Sequence, residues 1–170
     1  RKEIRNELRM LDGDQLEILT EAIQKSQSAQ KKNLIRIAGL AGANSAVKLF
    51  VQSLHNADLE EVATQALIHC DRDSAVPLLE ELKQERDDDE VIRALEILNE
   101  LSAIPYFDQL LPLLNHENPE IRHLTYRLLS RSKSQGISPW WILGTMDSYP
   151  PIQKICQELL LNICRQDASA

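Results

Sequence analysis

The sequence predicts an all-α fold, a solenoid of about five stacked helix pairs. Three observations predict it. Apolar residues make up 43% of the chain and charged residues 26%, with only five glycines, the composition of an ordered helical protein. Strict apolar–polar alternation competes nowhere with helical periodicity. Most tellingly, one helical phrase recurs at intervals close to thirty residues, and such a period is the signature of repeat architectures.

The phrase is clearest as "NPEIRHLTYRLL" (118–129), with earlier copies in "DDDEVIRALEIL" (87–98) and "DLEEVATQALIHC" (58–70). Its first apolar residue, Ile121, has counterparts at Leu34, Val62, Val91 and Ile152, spaced by 28, 29, 30 and 31 residues. Four positions on lie Ala38, Ala66, Leu95, Thr125 and Cys156, a column of mostly small side chains. Seven positions on lie Ala41, His69, Leu98, Leu128 and Leu159. Offsets of 0, 4 and 7 share one face of a helix, so each anchor heads a helix with a buried stripe.

A second helical pattern precedes each anchor. In order these are "DQLEILTEAIQKS" (14–26), "AVKLFVQSLH" (46–55), "AVPLLEELKQE" (75–85), "YFDQLLPLLNH" (106–116) and "SPWWILGTM" (138–146). The turns within the pairs carry helix-start chemistry. Asp58 with Glu61, and Asp87 with Glu90, are spaced as capping boxes. Asn118 before Pro119 reads as an N-cap followed by proline at the first helical position. "DSYPP" (147–151) is a two-proline variant. Gly39 and Gly42 flank a helix end. A two-helix unit this short cannot bury its apolar stripe alone, and stacking the units provides the missing cover.

These five pairs resemble HEAT repeats, in particular the short bacterial HEAT-like type of the phycobilisome lyases. The resemblance covers roughly residues 14–165 and is best at "PLLNHENPEIRHLTYRLLS" (112–130). There Pro112 falls at the first-helix proline, as Pro77 does upstream. Asn118 falls at the turn Asx position, Ile121 and Arg122 at the Val-Arg pair, and Thr125 at the small-residue position. Arg directly after the anchor occurs only at Arg122. The other units place Arg36, Arg93 and Lys154 two residues after it, where this phrase has His123. The resemblance implies a right-handed superhelix whose second helices line the concave face. It implies architecture and not function.

Charge narrows the function classes. The net charge is −7, and the acid is concentrated centrally: residues 37–100 carry 14 acidic and 5 basic side chains, whereas residues 101–170 carry 6 of each. A phosphate-binding surface needs the opposite sign over a broad face, so nucleic acid is not the expected partner. The sharpest charge run, "ERDDDE" (85–90), reads as a solvated turn that caps the next helix. With Glu60, Glu61, Glu117, Glu120 and Asp147 it would form an acidic ridge if the units stack in register. No apolar run approaches the ~20 residues needed to span a bilayer.

Catalytic and metal chemistry find no footing. There is no GxSxG, P-loop, GxGxxG or CxxC, and no His lies four residues from another His or a Cys. The expectation is no enzyme, no metal and no cofactor. Cys70, Cys156 and Cys164 read as buried free thiols, and Cys156 and Cys164 are too far apart on one helix to bridge. His69 falls in a core column and reads as a partly buried, satisfied side chain.

The expected function is a non-catalytic protein-interaction scaffold or adaptor, part of a larger protein. The alternatives are a nucleic-acid-binding HEAT-like domain and a bilin-lyase-like enzyme subunit, the latter permitted by the family resemblance. Six of the seven aromatics lie between Tyr106 and Tyr149, and Tyr and Trp are common interface anchors. The predicted partner-binding residues are therefore Tyr126, Trp140, Trp141 and Tyr149, with the basic column Arg93, Arg122 and His123. Trp140 and Trp141 sit about 100° apart on a helix, so one faces the core and the other its edge. The basic column reads first as a ladder of ion pairs and hydrogen bonds between successive turns, and only second as a stripe for an acidic peptide. Residues 1–13 read as a lead-in helix, or as the juxtamembrane stub of a missing anchor, since the chain opens on Arg1 and basic residues gather on the cytoplasmic side. Residues 14–165 are the repeat domain and 166–170 a tail. The expected place is the cytoplasm or the cytoplasmic face of a membrane.

Overall fold

A computed structural model describes residues 7–8, 10–83, 87–101, 107–131 and 139–167. Among these the chain is all-helical, with no strand. It forms two compact units, one of Arg1–Gln84 with Glu100–Pro105 and one of Glu85–Asn99 with Tyr106–Ala170.

The first unit begins with α1 (Gly13–Lys25), started by a complete capping box. The Asp12 carboxylate accepts from the Gln15 amide at 2.9 Å, and the Asp12 amide donates to Gln15 Oε1 at 3.1 Å. Two otherwise orphaned backbone donors are thereby satisfied. Helix α2 (Ser28–Ala41) stops at Gly42, whose φ of 71° is the left-handed cap conformation that glycine adopts without cost. A 3-10 turn (Asn44–Ala46) leads into α3 (Val47–Ser53), followed by α4 (Glu60–Cys70) and α5 (Arg72–Glu81). The turn between α4 and α5 is a single residue, Asp71, at φ 47°. The buried Ser74 hydroxyl donates to the Leu67 carbonyl at 2.8 Å and ties α5 back to α4.

Helix α4 starts differently from the sequence reading. Its N-cap is Leu59, without a side-chain cap bond. Asn56 turns the chain instead: its side-chain oxygen accepts from the Asp58 amide at 3.0 Å, and its carbonyl accepts from Leu59 and Glu60. This Asx turn consumes the position at which Asp58 would have capped, so the Asp58–Glu61 box does not form.

The second unit holds all but the last residue of α6 (Asp88–Glu100), a 3-10 helix (Phe107–Asn115), α7 (Pro119–Leu129), α8 (Pro139–Gly144) and α9 (Pro150–Asp167). Asp87 accepts from the Glu90 amide at 2.9 Å at the start of α6. Asn118 caps α7 through the Glu120 amide at 2.9 Å, with Pro119 as the first helical residue. The Asn118 start follows the sequence, and so does the Asp87 half of the expected Asp87–Glu90 box. The segment before α7 is 3-10 rather than α, with Pro112 at its sixth position. Proline removes an amide donor and crowds the preceding turn, yet α5 keeps α geometry with Pro77 at its own sixth position, so proline alone does not decide it.

All five anchors lie in α-helices: α2, α4, α6, α7 and α9. The anchor column is buried at Val62, Val91, Ile121 and Ile152, and half-buried at Leu34. The small column, Ala38, Ala66, Leu95, Thr125 and Cys156, is buried throughout. Within the first unit α2 packs on α1 and α4, and α3 on α4 and α5. Within the second, α7 packs on the 3-10 helix, and α9 on α7 and α8. No helix among the described residues is long and apolar enough to cross a membrane. Most of the predicted lead-in (residues 1–6 and 9), the head of the acidic run (85–86) and the tail end (168–170) lie outside the described residues.

Candidate interaction site

The residues singled out by the sequence converge on one corner of the second unit, where the turn before α7 meets the turn between α8 and α9. Arg122 is one turn into α7, and Asp147 lies between α8 and α9. The guanidinium meets the carboxylate in a two-pronged pair, Nε to Oδ2 at 2.9 Å and Nη2 to Oδ1 at 2.8 Å. Its remaining nitrogen, Nη1, donates to the carbonyls of His116 and Glu117, each at 2.9 Å. Both side chains are largely buried. The hydrogen-bonded Arg122 holds the Asp147 carboxyl below its ordinary range, against the opposing effect of burial. The same bond raises Arg122 further above its already high value. Arg122 therefore ties two turns together and is not a free docking group. The reading of a polar ladder between turns describes it.

The other rungs have the same character. Asp147 also accepts from the Tyr149 amide at 2.8 Å, and its carbonyl accepts from Gln153 Nε2 at 2.6 Å. The Tyr149 hydroxyl lies 3.4 Å from Glu120 Oε2. His123 stands edge-on to the Tyr149 ring, centroids 5.8 Å apart, and its Nδ1 is 3.6 Å from Glu120 Oε1. Buried and just beyond hydrogen-bond reach, that nitrogen has no hydrogen-bond partner among the described residues. One turn of sequence earlier, Asn118 Nδ2 donates to Asp88 at 2.8 Å and joins the starts of α6 and α7. Asp147 is thus spent in a largely buried ion pair, which removes it from the expected acidic ridge, whereas Glu120 stays 44% exposed beside Tyr149 and His123.

Tyr126 and Trp141 are core residues, 4% and 5% exposed. Their rings tilt against each other at 6.0 Å, and the Tyr126 hydroxyl donates to the Trp140 carbonyl at 3.1 Å. Burial pushes the Tyr126 phenol up to about 12. Trp140 is half-buried, so the two tryptophans divide between core and edge as their spacing implies. Arg93, on α6, is half-buried and engaged. Six of the seven predicted residues are therefore brought together, but mostly as a structural corner.

The surface that the corner holds up went unread in the sequence. Ile142, Leu143 and Met146 are 50%, 61% and 70% exposed, on the outward side of α8 and its end. Beneath them Trp141 is buried, and Gly144 lies so close to Cys156 and Tyr126 that a Cβ would collide with both. The signal was present in "WWILGTM", an apolar run too continuous for one helical face to bury.

For chemistry, the described residues contain no cluster of three or more His, Cys, Asp or Glu able to hold a metal. Cys70 and Cys156 are buried free thiols, pushed up chiefly by burial to about 11 and about 12. Cys164, expected to be buried, is exposed. It lies one residue past the buried Ile163, and the turn of the helix carries it to the outer side of α9. His69 is half-buried with Nδ1 bonded to the Gln65 carbonyl, as its column implies. No protein-family model, curated protein or solved structure matches the chain.

Proposed function

We propose that the chain is a non-catalytic docking scaffold, built as a right-handed α-solenoid of about five HEAT-like helix pairs and working in the cytoplasm or at its membrane face. The buried anchor and small columns support the repeat reading, as does the packing of α2 on α4 and of α7 on α9. The observation that carries the docking reading is the exposed aliphatic set Ile142, Leu143 and Met146. Three such side chains, two on one short helix and the third just past its end, cost solvation unless a partner covers them. The corner beneath, fixed by the Arg122–Asp147 pair and the Tyr126–Trp141 contact, supplies rigidity.

The test is affinity capture with the native chain and with a Leu143→Glu/Met146→Glu variant first shown by circular dichroism to stay folded. A protein partner held by the native chain and lost from the variant is expected. A partner retained by both, or nucleic acid or pigment recovered instead, overturns the docking reading. Small-angle scattering tests the solenoid separately, since stacked repeats give an elongated, curved particle and a globular bundle does not.

A further inference from the structure

Between α2 and α4, in the first unit, lies a groove of about 150 Å³. That is about half the lower limit for pockets that enclose a whole small molecule, ~300 Å³, and suits a single side chain. Its floor is apolar, from Val62, Ala66 and Leu40. Arg36 stands on the α2 wall, and Glu61, Gln65 and His69 stand one turn apart along the α4 wall. Arg36 and Glu61 line the same groove, yet neither has an ion-pair or hydrogen-bond partner among the described residues, in contrast to Arg122 in the other unit.

The lining holds one cation, Arg36, and one anion, Glu61, but the two differ in their surroundings. Helix α2 carries Lys31, Lys32 and Arg36 and no acid. Lys32 lies one turn before Arg36 on the same side. Glu61 is in the first turn of α4, where the positive end of the helix already offsets a carboxylate. Arg36, midway along α2, has no such complement. His69 is set by its own bond: Nδ1 lies 2.6 Å from the Gln65 carbonyl, which only accepts, so Nδ1 carries the hydrogen. The neutral ring then offers Nε2 as an acceptor. The groove thus combines a guanidinium and a helix-start carboxylate, neither paired among the described residues, with an apolar floor, a side-chain amide and an imidazole.

We propose that this groove seats an acidic side chain, Asp or Glu, of an extended partner segment, with the carboxylate on Arg36 and the segment's backbone amides against Gln65 and His69. The inference rests on the scaffold reading only in taking the occupant to be part of a protein, and its site is separate from α8. The probe is a short, capped peptide of alternating Glu and Leu, titrated into the full chain while backbone amide resonances are followed. Saturable shifts at Arg36, Gln65 and His69 are expected, weakening as salt is added. Arg36→Gln, at an exposed position that leaves the core intact, should lower the affinity about tenfold, the loss of one charge-assisted contact. Glu61→Gln should raise it about twofold. The idea fails if the Lys–Leu counterpart shifts the same amides equally, if the Glu–Leu peptide leaves them unmoved, or if Arg36→Gln binds unchanged. Leu143→Glu/Met146→Glu should keep these shifts, so failure at α8 and failure at the groove are told apart.

Discussion

The two units seal neighbouring anchored helices by different means. In the first, α2 and α4 meet through small residues: a Cβ on Gly39 would lie 2.5 Å from the Ala66 Cα and 2.6 Å from its Cβ. Close backbone approach does the joining, and the one charged residue of α2 beside the seam, Arg36, is left unpaired. In the second, α7 meets the α8–α9 turn through a buried guanidinium–carboxylate pair and its attendant hydrogen bonds. One repeat pattern therefore supports two kinds of seam. The first seam leaves Arg36 without a partner among the described residues, and the second spends Arg122 on rigidity.

The comparison is sharpest at the anchors. Ile121 is fully buried in the second unit, whereas Leu34 is half-buried in the first. Ile121→Ala should destabilise by about 3–4 kcal/mol and Leu34→Ala by about 1 kcal/mol, since the cost follows the buried area and the cavity left behind. Urea denaturation of both variants measures the difference. Equal losses would mean that the two columns are sealed alike.

Close approach in the first seam is tested next. Gly39→Ala should cost about 2–3 kcal/mol, because the new methyl meets backbone that cannot rotate away, and this exceeds the gain of about 1 kcal/mol in helix propensity. Gly144→Ala in the second unit should cost less, about 1–2 kcal/mol. There the nearest atom is the Cys156 Sγ, which can turn aside, although the Tyr126 ring is pinned by its hydroxyl. A Gly39→Ala protein as stable as the native one would break the close-packing account.

How far these seams were legible in the sequence follows from their range. The five second helices were legible because the 0, 4, 7 columns are local and survive any register error in the turns. The starts at Asp87 and Asn118 were legible too, each bonded to an amide two or three residues on. So was the Asp12–Gln15 box in principle, a D-x-x-Q spacing that went unread. The first helices were less so: α5 starts earlier than expected, α8 is only six residues long, and the segment before α7 is 3-10. Arg122 was visible as a basic residue beside the anchor, but its partner is 25 residues away across a turn, and nothing local names it. Exposure of Ile142, Leu143 and Met146 was hidden for a related reason. A mostly apolar run does not say which of its sides a neighbour will cover.

The tied seam should respond to pH, and the first should not respond through this pair. Asp147 has its folded pKa depressed by Arg122. Its contribution is therefore fully present above the ordinary value of 3.8 and is lost as pH falls through the lower folded value. Arg122→Ala should cost about 2 kcal/mol at neutral pH, between the values for exposed and fully buried pairs. It should also flatten the acid limb of the stability profile. An acid limb of unchanged slope would place the acid sensitivity elsewhere.

The smallest effect concerns the thiols and leaves stability untouched. Cys70 sits in the first unit and Cys156 under Gly144 in the second. Both are buried, with pKa values pushed to about 11 and about 12, so at pH 8 thiolate is scarce and reagent access is poor. Cys164 is exposed on α9. Titration with a coloured disulfide reagent should show one fast thiol in the native protein and three after denaturation. The two slow thiols also report on the seams, because each reacts only when its own unit opens. Gly39→Ala should speed Cys70, which lies on α4 against the loosened contact, and leave Cys156 slow. Arg122→Ala should do the reverse, and acceleration of both thiols by either substitution would show the two seams opening as one.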